Sequence, residues 1–170
     1  MTGMRKWYWL AAVVVIADQL VKWLSIRLTE AVTLIPGVLR FTYAENTGMA
    51  FSLLSGRSWL LGLVSAACIA LGWLVLRRFR LGTLSRIAAM LMLGGAVGNM
   101  LDRFFRGFVV DMFETLFVRF AVFNVADAAL TIGTVLMAAS LLCCPADWEN
   151  RDGGTKDGAA DGSAADRSDG

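Results

Sequence analysis

"FNVADAALTIGTVLMAASLL", residues Phe123–Leu142, is almost wholly apolar, yet it carries Asn124 and Asp127 near its start. A stretch of about 20 apolar residues is long enough to cross a bilayer as a helix. An ionised side chain at mid-bilayer costs at least ~2.5–3.5 kcal/mol, so an acid inside such a stretch points to a functional site by default. A helix needed only as a span would be better served by Leu at that position. The reading of the chain therefore turns on what else can meet Asp127.

Three further stretches have the same character. Ser58 to Leu76 holds no charge, and Ile87 to Leu101 holds none before Asp102 and Arg103. Trp7 to Leu24 holds two charges, Asp18 and Lys22. With 57% apolar residues and only 2 Pro in 170 residues, the chain lies above the ~45–50% of an ordinary soluble domain. The pattern predicts an all-α membrane protein with four transmembrane helices, at about 7–25, 58–76, 87–105 and 124–142, in one domain from 1 to 146. The first stretch also fits a secretory leader, since Arg5 and Lys6 precede an apolar core with small residues up to Ala17. Against that, the apolar run continues through "LVKWLSI", and Asp18 and Lys22 lie one helical turn apart, where each offsets the other's burial.

Arg77, Arg78, Arg80 and Arg86 crowd the short link between the second and third spans. A cytoplasmic link of that kind places both termini inside. From Asp147 onward the chain has 7 acids and 3 bases and almost nothing apolar larger than Ala, which predicts a disordered cytoplasmic tail over 147–170. The first outer loop reads differently. "VLRFTYAEN" is β-branched and aromatic, and it lies between the turn signals Pro36-Gly37 and "NTG", which predicts a small extracytoplasmic β-sheet.

Histidine is absent, which removes Ser-His-Asp and Cys-His catalysis and every imidazole metal site. Cys68, Cys143 and Cys144 lack zinc spacing, no glycine-rich loop precedes a lysine, and no basic surface suggests nucleic acid. Carboxylates remain. Asp111 ends the run "RGFVVD" in the second outer connection, and Asp127 begins the fourth span, so both can lie at the outer face. Two carboxylates held close share a proton, and such a pair can deprotonate a water and protonate a leaving amine. Taken singly, either Asp also fits a helix cap or a buried pair with Arg.

The third span ends "GGAVGNMLDRFFRG", with Gly95, Asn99 and Arg103 on one helix face. Gly94, Gly95 and Gly98 permit close helix approach. A buried Arg103 requires a carboxylate or carbonyls, with Asp102, Asp111 and substrate backbone as candidates. Asn124, three residues before Asp127, can orient that carboxylate. A proton- or ion-conducting protein, or a factor clamping a partner's helix on the glycine face, would also account for charges in the membrane.

Five motifs in order separate these readings: "DQLVKW" at Asp18–Trp23, "ENTGMAFS" at Glu45–Ser52, "GGAVGNMLDR" at Gly94–Arg103, "GFVVDMF" at Gly107–Phe113 and "FNVADAAL" at Phe123–Leu130. Together they resemble the lipoprotein signal peptidases (signal peptidase II) of bacteria, over about residues 5–142. The resemblance implies an intramembrane aspartic endopeptidase of the cytoplasmic membrane that cuts a prolipoprotein just before its diacylglyceryl-modified cysteine. It also implies an outer sheet cradling substrate, with the substrate's acyl chains in membrane lipid; an enzyme without metal or cofactor suffices, and nothing requires more than a monomer. Carried over, Asp111 and Asp127 are the catalytic dyad. Asn99, Arg103 and Asn124 support the dyad or hold substrate backbone, Asn46 lies near the substrate entrance, and Asp18 with Lys22 is a structural polar pair. Val21 and Ala128 stand where Thr and Ser are frequent, which touches only hydrogen bonding around the dyad.

Overall fold

The structure, a computed structural model, describes residues 5–48, 58–79 and 81–148. The end of the "ENTGMAFS" motif and the expected acidic tail beyond Trp148 lie outside the described residues. Among the described residues, four helices are long and apolar enough to cross a membrane: α1 (Tyr8–Ser25), α2 (Ser58–Leu76), α3 (Thr83–Phe105) and α4 (Val125–Cys143). At 1.5 Å per residue they measure about 27–35 Å, matching a ~30 Å hydrocarbon core. The third helix starts at Thr83 rather than at the expected 87. The charge of Arg86 sets it with the link in sequence, but a cation within the first turn of a spanning helix still lies at the interface.

α3 is the central helix, packed by α1, α2 and α4. Its glycines explain how the backbones come so close. A Cβ on Gly94 would press on the Ala11 carbonyl oxygen and on Val14, and one on Gly95 would meet the Ala126 carbonyl oxygen and Leu130. Without water inside a bilayer, such close packing is what holds spans together. α2 is the outlier. It packs mainly on α3, and apart from Ser58 and Gly62 its residues are half-buried or exposed.

The sheet differs from the expected one in a way that matters for function. It is three-stranded and antiparallel in the order β1 (Val32–Ile35), β2 (Leu39–Asn46), β3 (Val109–Thr115). β1 and β2 form a hairpin in the loop where a small sheet is expected, with Gly37 at φ 72° in its turn. β3 comes from the other connection, so the segment expected to be a link carrying Asp111 is a strand. Residues Val109 to Met112 of β3 are buried over the helix ends. A bridge from Phe113 to Phe123 then ties the entry of α4 to the same strand.

At the opposite end, the start of α1, the α2–α3 link and the end of α4 meet in one apolar cluster. Trp7, Leu10, Phe79, Leu81, Met137 and Trp148 belong to it. Trp148 packs edge-on against Phe79, and its indole N–H donates to Ser140, which also accepts from Ser85.

Candidate functional site

α4 begins with a capping box. The Asn124 side-chain oxygen accepts from the Asp127 backbone N–H at 2.8 Å, and the Asp127 carboxylate accepts from the Asn124 backbone N–H at 3.3 Å. Two of the N–H groups that a helix start leaves without partners are thereby satisfied. Part of the answer to why an acid stands in that span is local: Asp127 caps its own helix. Its other oxygen, however, accepts from the Asn99 amide at 2.7 Å, across to α3.

The fixed Asn124 side chain turns its amide nitrogen away from the cap. That nitrogen lies 2.7 Å from Asp111 Oδ1 on β3, 3.1 Å from Asn99 Oδ1 and 3.3 Å from the Val110 carbonyl oxygen. The second oxygen of Asp111 accepts from the Asn46 amide at 3.0 Å. The strand register explains that bond. Asn46 pairs with Val109, and Asp111, two residues further on the same face, is its diagonal neighbour. Asn124 thus links the two acids, its side-chain amide to Asp111 and its backbone N–H to the Asp127 carboxylate, and all four carboxylate oxygens accept N–H groups.

Asp111 is 2% exposed and Asn124 is fully buried, whereas Asp127 is half-buried. Among the described residues Asp111 forms no ion pair. Burial pushes its carboxyl above the usual carboxylate range, the Asn46 hydrogen bond opposes this, and the charge of Asp127 adds to the rise. A buried carboxylate without a cation is costly to keep ionised, and a proton on it relieves that cost.

Among the described residues Arg103 forms an ion pair with neither of the carboxylates offered for it, Asp102 and Asp111. Its guanidinium donates to the Asn99 carbonyl oxygen at 3.4 Å and is otherwise turned to a cavity. Asp102 points elsewhere because neighbouring residues on a helix do not face each other. It is fully buried and pairs with Lys22 at 2.8 Å and with Arg106. Lys22 also pairs with Asp18 at 2.7 Å, as its i, i+4 spacing predicts. Gln19 joins them, donating to Asp102 at 3.1 Å and accepting from Arg106 at 2.9 Å. Asp102, Gln19 and Arg106 were not among the expected site residues. The i, i+4 spacing of Asp102 and Arg106 was the available signal, but it indicates a pair without saying where the pair lies.

The cavity is about 820 Å³ in volume. Asn99, Arg103 and Asp127 line one end of it, and Met137 and Trp148 line the other, with α2 as the far wall. Between those ends the lining is apolar apart from Ser65, and includes Cys68 and Met92. The site is therefore a polar centre under a strand, open on one side to a long apolar groove between helices.

Comparison with known proteins gives a consistent result. The profile of the signal peptidase (SPase) II family matches residues 10–143. The chain is 43% identical over 137 residues to the lipoprotein signal peptidase of Geobacillus kaustophilus, covering 77% of this chain and 89% of that one. It is 41% identical over 144 residues to that of Trichormus variabilis, covering 81% and 91%. A bacterial membrane enzyme solved at 1.9 Å superposes with a TM-score of 0.69 at 29% identity, covering 82% of this chain and 94% of that one. A second, solved at 2.3 Å, gives 0.65 at 28% identity, with 81% and 87% covered. Fold and likeness together define a multi-pass membrane enzyme. More narrowly, the chain belongs to the signal peptidase II family, and so to the peptidases.

Proposed function

We propose that this protein is an aspartic endopeptidase of the bacterial cytoplasmic membrane that removes the signal peptide of prolipoproteins, cutting before the diacylglyceryl-modified cysteine. Asp111 and Asp127 act as the dyad. One observation carries this reading: the buried Asp111 carboxylate, without an ion pair among the described residues, is joined through Asn124 to Asp127, which lines an apolar groove. A merely structural buried acid is normally ion-paired, as Asp18 and Asp102 are here.

Asp111, the more buried of the two, holds the shared proton, and ionised Asp127 faces the groove. Asp127 takes a proton from water as the water oxygen attacks the scissile carbonyl carbon, while Asp111 gives its proton to the carbonyl oxygen. On collapse, the C–N bond breaks, Asp127 passes the water's proton to the departing nitrogen, and Asp111 regains a proton from the diol. The site is restored with one water consumed. Asn99, Asn124 and Asn46 hold the carboxylates, and the free donors of Arg103 meet the substrate's backbone carbonyls. The apolar signal helix lies in the groove, and the acyl chains stay in lipid. Both termini are cytoplasmic, and the sheet and dyad lie at the outer face.

The test is cleavage, followed by mass, of a diacylglyceryl-cysteine precursor peptide by the purified protein in lipid, beside the same peptide without its lipid. Cleavage before the lipidated cysteine alone is expected. A folded protein that cuts neither peptide, or both equally, removes this reading.

The pH dependence has a defined sign. With the Asp111 pKa raised, its acid form persists above the usual carboxylate range and is lost as pH rises through the raised value. The rate is expected to fall there, in a limb that belongs to the pair rather than to one residue. A rate that climbs steadily through neutral pH would contradict a shared proton.

A further inference from the structure

The Asp18–Lys22 pair does more than neutralise itself. We propose that Lys22 is a positioning residue for the dyad: its ammonium fixes which way round the Asn99 amide stands, and so directs an N–H at Asp127. The inference rests on the dyad reading above.

An ammonium has three N–H donors and no acceptor. Those of Lys22, which is fully buried, go to Asp18 Oδ2 at 2.7 Å, Asp102 Oδ2 at 2.8 Å and Asn99 Oδ1 at 3.1 Å. All three are used. The two acids do not depend on Lys22 alone, because Asp18 also accepts from the Ala126 backbone N–H at 2.9 Å. Asp102 accepts from Gln19, Arg106 and the Val110 backbone N–H as well. Asn99 depends on Lys22 more, since its side-chain oxygen has only one other donor, the Asn124 amide.

An Asn side chain is a donor at one end and an acceptor at the other, and only its neighbours choose between the two orientations. As it stands, the Asn99 oxygen accepts from both Lys22 and the Asn124 amide, and its nitrogen donates to Asp127 Oδ1 at 2.7 Å. Turned over, it would set its NH2 group against an ammonium and another NH2, and its carbonyl oxygen against a carboxylate. Asn124 needs no such help, since the helix cap fixes it. Lys22 therefore supplies the second of two locks, one for each carboxylate: Asn124 on Asp111 and Asn99 on Asp127.

The charges around Lys22 are Asp18 on its own helix and Asp102, Arg103 and Arg106 on α3. Through Asn99 and Asn124 come Asp127 on α4 and Asp111 on β3. Loss of the ammonium removes a cation from beside the dyad's supporting amides and leaves Asn99 held by Asn124 and Asp127 alone, so that its amide turns more readily.

The experiment measures kcat, KM and the pH profile on the lipidated precursor for wild type, Lys22→Met and the charge-balanced double variant Lys22→Met/Asp18→Asn, per folded molecule. The double variant removes the unpaired acid that can stop the single one from folding, and Asn at 18 can still accept from Ala126. In whichever variant folds, kcat is expected to drop at least about 30-fold with KM within about threefold, and the alkaline limb to move to higher pH. That split matches an interaction made in the transition state. A structural role would lower the yield or melting temperature and leave kcat per folded molecule and the limb at their wild-type positions, which overturns the proposal. So does failure of both variants to fold, since Lys22 is then a residue of the core. A wild-type protein that cuts no lipidated precursor is a separate result, and it removes the function rather than the role of Lys22.

Discussion

Asp111→Asn and Asp127→Asn are each expected to lower kcat for the lipidated precursor by about 10²–10⁴-fold, the usual worth of a positioned acid or base. The substitution is nearly isosteric and keeps one oxygen at each site, so Asn at 111 still accepts from Asn46 or Asn124, and the cap of α4 retains its bond from the Asp127 N–H to Asn124. Folding should survive, and a melting curve beside the wild type's checks it. Because the two acids act as a unit, the double variant should be little worse than either single one. Retention of more than a tenth of the wild-type kcat by either folded variant would show that its carboxylate is there for capping or packing.

Gly95→Ala is expected to be the most disruptive small substitution in the helices. Its new Cβ would press on the Ala126 carbonyl oxygen, a backbone atom that cannot swing aside, and would come within 2.8 Å of Leu130 Cγ. Overpacking of this kind costs ~1–3 kcal/mol and at times more. The damage should reach function as well, since parting α3 from α4 separates Asn99 from Asp127 and Asn124. Gly72→Ala in α2 is the control. A Cβ there meets nothing within 4 Å, and Ala is the better helix former by ~1 kcal/mol. Melting temperatures in one detergent should therefore move in opposite directions. Equal stability of the two variants would mean that the α3–α4 seam is looser than these contacts require.

Much of this was legible in the residues because much of it is local. Spans follow from runs of apolar side chains, the Asp18–Lys22 pair from one turn of helix, and the Asn124–Asp127 relation from the three-residue spacing of a capping box. The residues that form the centre were readable as types and in order. What could not be read was contact between distant segments. β3 joins a hairpin more than sixty residues earlier in the chain, and no local pattern in "GFVVDMF" names its partner. Asp102 is one of the partners the sequence offers Arg103, yet neighbouring residues on a helix lie on different faces. Asp102 instead meets a lysine on another helix. That meeting makes the pair at 18 and 22 part of the centre rather than a private neutralisation within α1.

The groove that leads to Asp127 has α2 as its far wall, and α2 packs mainly on α3, with Val64 and Leu71 more than half exposed. The proposed function sets those faces against lipid and runs the route to the centre within the bilayer plane rather than through water. The concentration that governs occupancy is then moles of substrate per mole of lipid, not moles per litre. Adding empty lipid or detergent at constant enzyme and substrate should slow turnover by surface dilution alone. An apolar inhibitor's potency should likewise rise with its partition coefficient, even where its contacts with the protein are unchanged.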